Sequence, residues 1–292
     1  MLAPIVIFAF NRPEALEHML NSLKTNPEYA QSDKYFFIDG PRTENERKIV
    51  DRVEFIARKE SSNVIRNQKN LGLGSNIIKG VSQILATYDS AIILEDDLIL
   101  QPGFLQYMNE GLKHFKNDKN ILAVCGYSLK IKVPQNYKST VYLADRASSW
   151  GWATWKDRWT EIDWNVSDWN KFSQDKKSVK AFKNAGSDMY SMLRDFMDGR
   201  NHSWAIRFCY HQFRHNMHSV HPTKSLVDNE GFGKTATNCR QKYSRFKIDI
   251  TSHNPIIIDK KLEPNNSIIT QLHKYHSIYM RIYSRIRKLL NI

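Results

Sequence analysis

The chain has 292 residues, 41% of them apolar and 25% charged, which suits one large folded domain or a domain with an appended piece and excludes a disordered chain. A formal charge of +13 points to an anionic partner: a nucleic acid, an anionic membrane face or a phosphorylated small molecule. Three widely spaced cysteines, Cys125, Cys209 and Cys239, with no C-x-x-C pair, argue against a disulfide framework or a structural zinc site and fit a reducing, cytoplasmic setting.

The segment PIVIFAF (4–10) reads as a buried strand. The longer stretch MLAPIVIFAFNRP has neither a positive leader nor a small-residue cleavage site, and it is too short to cross a bilayer. RPEALEHMLNSLKTN (12–26) follows with helical spacing at Leu16, Met19, Leu20 and Leu23, and Pro13 in its first turn. KYFFID (34–39) is a second strand, stopped by Gly40-Pro41. TENERKIVDRVEFIARKE (43–60) is a helix with Thr43 and Glu46 at capping-box spacing. SNVIRN (62–67) is a short strand, GSNIIKGVSQILATY (74–88) a helix, and AIIL (91–94) a further strand. Such alternation predicts a parallel sheet with crossover helices, whose ligands bind beyond the carboxyl ends of the strands. Polar signals stand at those ends: Asn11 and Arg12, Asp39, Asn70 to Gly74, and a run of acids.

Beyond residue 120 the pattern loosens. ILAVCGY (121–127) and TVYLAD (140–145) read as strands ahead of the Trp-rich SSWGWATWKDRWTEIDW (148–164). Helices are expected near 175–198 and 203–216, then a Gly- and Asn-containing loop, LVDNEGFGKTATNC (226–239). The last segment, 267–292, keeps apolar residues near helical spacing through Ile268, Leu272, Tyr275, Tyr279, Ile282, Ile286 and Leu289, beside Lys274, Arg281, Arg285, Arg287 and Lys288. It reads either as a helix docked on the domain with a basic outer face or as an interfacial helix on anionic lipid.

AIILEDDLILQPGF (91–104) sets Glu95, Asp96 and Asp97 between two apolar runs. Adjacent carboxylates repel unless a cation or a donor sits among them. The next helix starts near Pro102, too far along for these acids to cap it. Solvated surface acids are one reading. The other is a metal and nucleotide site, where strand-end carboxylates hold Mg2+ or Mn2+ that also binds substrate phosphates.

Together, PIVIFAFNRPEALEHMLNSL, FFIDGPR, LEDDLILQPGFLQYM and SSWGWATWKDRW resemble the GT-A glycosyltransferases. The similarity is to the N-acetylglucosaminyltransferase I-like enzymes and the bacterial family 2-like sugar transferases of surface-polysaccharide assembly, and runs from about residue 4 to 240. It implies an α/β fold, a mostly parallel sheet flanked by helices, with a nucleotide-sugar-binding half (1–120), an acceptor half (121–240) and a basic amphipathic helical extension (241–292). It also implies metal-dependent transfer of a hexosyl or N-acetylhexosaminyl group from a nucleotide diphosphate sugar, a UDP-sugar in particular, to a glycan or lipid-linked acceptor at the inner membrane face. A catalytically inactive sugar- or nucleotide-binding module on the same fold is the rival. A nucleic-acid binder lacks any recognition motif here, and strand-end acids would repel its phosphates.

The resemblance also assigns roles. Asp97 would be the metal ligand (Mn2+ or Mg2+), Asp96 would contact the ribose or donor sugar, and Glu95 would orient its neighbours. Phe10, Asn11 and Arg12 lie at the end of the first strand, with Arg12 facing the donor phosphates; Asp39 would accept the N3–H of a uracil-like base. NLGLGSN (70–76) is not G-x-G-x-x-G, yet Gly72 and Gly74 open a helix and can present backbone N–H groups to phosphate; a plain strand-to-helix turn is the alternative. Trp152, Trp155 and Trp159 are spaced as a helix face in the core, whereas Trp150-Gly151-Trp152 suggests a loop whose indoles meet a sugar ring.

The zincin-like HQFRH (211–215) has Gln212 where a metalloprotease needs its glutamate, so that reading fails. The 226–239 loop would cover the donor, with Gly231 and Gly233 as hinges and Lys234 reaching phosphate. Where relatives carry a metal-binding histidine the matching position is Asn238. Where the N-acetylglucosaminyltransferase I group has a Trp-Asp-Asp base, this chain has Trp204-Ala205-Ile206. Asp228 and Asp145 are the substitute bases; a retaining reaction would need none.

Overall fold

Ile5–Ala9 forms β1, and its side chains alternate across a sheet. Ile5, Ile7 and Ala9 join one apolar cluster, while Val6 and Phe8 join a second on the opposite face. The structure, a computed structural model, describes residues 2–230, 246, 248, 256–259 and 261–290. After β1 come α1 (Pro13–Leu23), β2 (Lys34–Ile38), α2 (Arg47–Glu60), β3 (Val64–Arg66), α3 (Leu73–Leu85) and β4 (Ser90–Glu95). The chain continues through β5 (Leu98–Leu100), α4 (Phe104–His114), β6 (Ile121–Cys125), β7 (Val141–Ala144) and β8 (Trp152–Trp155). Then follow α5 (Lys156–Trp159), α6 (Trp169–Gln174), α7 (Lys176–Phe182), α8 (Met189–Met197), α9 (Trp204–Arg214), β9 (His218–Pro222), β10 (Val227–Asn229), α10 (Asn266–Tyr275) and α11 (Ile278–Leu290).

Eight strands form one mixed sheet in the order β3-β2-β1-β4-β8-β6-β9-β7. The first four run parallel, β8 is antiparallel to both β4 and β6, β9 is parallel to β6, and β7 is an antiparallel edge. The chain winds outward from β1 to β3, then returns to place β4 on the other side of β1. That reversal is a topological switch point, where the helices leave in opposite directions and open a crevice at the strand ends. Beside it, β5 and β10 make a separate two-stranded ribbon, so residues 227–229 are a strand and not the loop expected there.

Other expectations shift for local reasons. The first helix stops at Leu23, four residues before Pro27 opens a separate short turn of helix. Thr43 makes no side-chain cap. The Glu46 carboxylate instead accepts from the Arg42 backbone N–H at 2.8 Å, and α2 begins after it. The 175–198 helix is two helices separated by Gly186.

The tryptophan spacing has a different cause from the helix face expected. Trp152 and Trp155 are the two ends of β8 and fall on opposite faces of the sheet, in different core clusters; only Trp159 is helical. A separation of three residues puts two side chains on one helix face but on opposite faces of a strand. The C-terminal segment is likewise two helices, broken at His276 and Ser277. Ile268 and Leu272 of α10 are buried in the main core, whereas Ile278 and Tyr279 of α11 are 64% and 71% exposed. Cys125 and Cys209 are buried free thiols. Among the described residues, no helix is long and apolar enough to cross a membrane.

Candidate active site

β1 and β4 are hydrogen-bonded neighbours with Phe8 opposite Glu95, so whatever follows β1 must meet whatever follows β4. Arg12 lies across the acid turn: Nη1 donates to Asp97 Oδ2 at 2.9 Å and Nη2 donates to Asp96 Oδ1. The Phe10 N–H donates to the other Asp96 oxygen at 3.3 Å. Burial, reinforced by the neighbouring acids Asp97 and Asp96, raises the Glu95 carboxyl to about 8. Burial also lifts Asp96 to about 6, against the pull of Arg12. Three crowded, buried acids resist ionising together unless a cation sits among them, and in this structure the Arg12 guanidinium supplies one. The same guanidinium is the group expected to face the donor phosphates, and here it is paired with Asp96 and Asp97.

A divalent metal fits the same oxygens. Among the described residues no three His, Cys, Asp or Glu side chains gather as a metal cage. Mg2+ and Mn2+ need only one or two protein carboxylates when substrate phosphates complete the shell. Asp97 is the more open acid, its side chain 13% exposed against 3% for Asp96, which is turned toward Arg12 and Phe10. Asp97 would hold the metal, with Oδ2 exchanging Arg12 for the ion. Its Oδ1 accepts from the Asn229 amide at 3.2 Å, and its carbonyl accepts from the Glu230 N–H at 2.9 Å, so β10 clamps the acid turn from the side.

Asp39 is buried and already engaged. It accepts from the N–H groups of Leu71 (2.8 Å) and Gly72 (2.9 Å) and from the Asn67 amide (3.3 Å). It is therefore the anchor of the 70–72 loop, and of the two glycine N–H groups expected to face phosphate that of Gly72 is spent on it. Gly74 has a packing reason: a Cβ there would lie 2.1 Å from the His202 carbonyl oxygen, so only glycine lets α3 approach the entry to α9. Asn11 donates to Glu46 at 3.2 Å, and the Arg42 guanidinium covers the Phe10 ring at 4.9 Å.

Beyond β4 a cavity of about 670 Å³ opens, lined at one end by Glu95, Gly72 and Trp204 and including Trp150. Gly151 sits at φ +61°, the left-handed turn that swings Trp150 toward the cavity before β8 begins. Trp152 points the other way. It is 1% exposed, stacks on Trp204 at 4.8 Å and Trp159 at 5.8 Å, and does not line the cavity. At the far side Asp145 accepts from His218 (3.1 Å) and His273 (3.4 Å), and the His218 contact is foremost in lowering its carboxyl. His221 lines the same cavity as a neutral imidazole, burial pushing it down to about 4.

Asp228 lies opposite Ile99 on the β5–β10 ribbon, one residue from the Asn229 that touches Asp97. Asp228 and Asp145 therefore stand at different places and do not form a pair. Lys234, Asn238, the glycine hinges and the boundary near residue 240 lie outside the described residues. Sequence reasoning missed Asn229, Arg42, His218 and His273. Asn229 adjoins the named Asp228, but no local pattern marks the other three.

The mixed eight-stranded sheet, with an acid turn at its switch point, has the fold of the GT-A glycosyltransferases. The chain belongs to glycosyltransferase family 2: the model described as Glycosyl transferase family 2 matches residues 5–174, more than half of it. The solved structure of GalNAc-T7 with UDP, GalNAc and Mn2+ is similar in fold at TM-score 0.51 and 13% identity, covering 78% of this chain and 44% of that one. A mannosyltransferase from Pyrobaculum calidifontis, solved with GDP-Man and Mn2+, matches at TM-score 0.36 and 11% identity, over 54% of this chain and 46% of that one. S. aureus TarS 1–349 matches at 0.35 and 13%, over 53% and 47%. The chain spans less than half the length of each of these three. No curated relative matches the chain.

Proposed function

We propose that this protein transfers a hexosyl or N-acetylhexosaminyl group from a nucleotide diphosphate sugar, a UDP-sugar first, to a glycan or lipid-linked acceptor in surface-polysaccharide assembly. The observation that carries the proposal is the Arg12–Asp96–Asp97 cluster at the β1/β4 switch point, in a chain of glycosyltransferase family 2. Metal dependence rests on the same cluster: Mn2+ or Mg2+ on Asp97 would neutralise charge developing on the departing diphosphate. With Asp97 holding a metal, Arg12 would be free on one side to face phosphate. Asp96 keeps the end of β1 in place through Phe10, and Asn229 orients the Asp97 carboxylate. Asp228 is the better-placed base of the two named, because it adjoins the acid turn, whereas Asp145 lies four strands from β4. The acceptor oxygen bonds to the anomeric carbon as that carbon's bond to the diphosphate breaks, and the acceptor proton passes to Asp228.

The test is release of nucleoside diphosphate from a panel of nucleotide sugars, with and without Mn2+. Turnover of one donor, lost without metal, is the expected result. Binding without turnover, with candidate acceptors present, would favour the second reading, an inactive binding module, which the missing acid at Ala205-Ile206 motivates. No binding of any donor would sink the transferase reading.

Location at the cytoplasmic membrane face is part of the proposal. Ile278, Tyr279, Ile282, Tyr283 and Ile286 are exposed along α11 at i, i+1, i+4, i+5 and i+8, one stripe of a helix that also carries Arg281, Arg285 and Arg287. Sedimentation with anionic vesicles should carry the wild type down and leave Ile282→Glu/Ile286→Glu in solution. Equal sedimentation of both would overturn the location.

A further inference from the structure

The cavity beside Glu95 is longer than a donor sugar needs. Glu95 ends β4 and Asp145 follows β7, and both line it. Those strands are four steps apart in the sheet order, about 19 Å at the usual inter-strand spacing. Between the two ends the walls are mostly apolar, with Met189 and Met192 from α8 and Ile269 and Leu272 from α10, beside the polar Arg146, His221 and His276. Aromatic rings continue the wall, with Tyr127 to Trp150 at 4.4 Å and Trp150 to Phe246 at 6.2 Å. By the proposed reading the nucleotide belongs at Arg12 and Asp97, on the β1 side of β4. The donor sugar then takes the Glu95 end, and most of the apolar length is left for the other substrate.

The wall formed by α10 is built into the fold. The Gln271 amide exchanges hydrogen bonds with both backbone groups of Lys132, at 2.8 and 2.9 Å, and the His276 carbonyl accepts from the Ser187 N–H at 3.1 Å. His273 is held by Asp145 at 3.4 Å. Two residues after α10 ends, α11 begins with its exposed apolar stripe. The apolar lining and the apolar surface thus lie on consecutive helices.

We propose that this cavity takes the apolar chain of an amphiphilic acceptor, whose sugar reaches the Glu95 end while its chain lies along α10 toward α11. The proposal rests on the transferase reading and narrows its acceptor from glycan or lipid-linked to lipid-linked. Burial of an apolar chain of about a dozen carbons in such a cavity tightens binding by more than about tenfold, whereas a sugar without a chain gains none of it.

The probes are dodecyl glucoside below its micelle concentration and methyl glucoside, each titrated calorimetrically into the full chain. Wild type should bind the dodecyl compound and show no heat with the methyl one. Ile269→Asp and, on the facing wall, Met192→Glu each set a carboxylate against the chain and should weaken binding at least about tenfold. Both positions are half-buried, and either variant suffices if the other misfolds. Absence of dodecyl binding, or equal binding by wild type and a folded variant, overturns the proposal. If wild type turns over a donor but does not bind the dodecyl compound, only the acceptor inference fails. If it binds that compound and no nucleotide sugar, the transferase reading fails and an apolar-ligand site remains.

Discussion

Asp97→Ala is expected to abolish the response of nucleotide binding to Mn2+ and to lower turnover by about three orders of magnitude. By the proposed reading, loss of Asp97 would remove a metal's several kcal/mol of charge stabilisation, and each 1.4 kcal/mol is about a factor of ten. The neighbouring acid cannot take over. Asp96 is buried, with one oxygen on the Phe10 N–H and the other on Arg12. With Asp97 gone, the guanidinium settles on Asp96 alone. Calorimetric titration of UDP into the variant with and without Mn2+, beside initial rates of nucleoside diphosphate release, makes the check. A folded variant that keeps the wild-type metal response would show that Asp97 is not the ligand.

The second large effect is on stability. Trp152→Ala should cost about 3–5 kcal/mol. Trp152 is 1% exposed and lies at the centre of an aromatic stack: Trp204 at 4.8 Å, Phe208 at 5.1 Å and Trp159 at 5.8 Å. It therefore ties β8 to α5 and α9, and the cavity left by alanine opens between three elements that cannot all close on it. Trp152→Phe should cost far less, because among the described residues the indole Nε1 is buried without a hydrogen-bond partner and its loss breaks no bond. Denaturant midpoints for the two variants decide the matter. An alanine variant as stable as wild type would mean that the stack does not organise this half of the sheet.

Reading the chain residue by residue recovered the first half of the fold because its information is local. The strands IVIFA and AIILE and the amphipathic helices between them carry their periodicity in short windows, so element type and order follow from burial alone. The acids were conspicuous for the same reason: three carboxylates between apolar runs contradict the pattern around them. The tryptophans misled because a spacing of three and four is shared by a helix face and by a strand that turns into a helix. The break at His276-Ser277 was hidden because apolar spacing continues across it while the buried face changes partner, from the core for Ile268 to solvent for Ile278.

By itself the sequence determined that this is an α/β chain with strand-end carboxylates, a strongly basic balance and an amphipathic C-terminus. Each of these is a property of composition or of a window of a few residues. Only the tertiary structure decided how they are used. Arg12 meets Asp96 and Asp97 across 84 and 85 residues, Asn229 reaches Asp97 across 132, and His273 reaches Asp145 across 128. Such contacts leave no local trace, since any polar residue at a strand end or in a ribbon looks alike until the strand order places it. The order itself, with β4 returning beside β1 and β7 at the far edge, turns scattered polar residues into a charged crevice and separates it from an apolar cavity walled by α10.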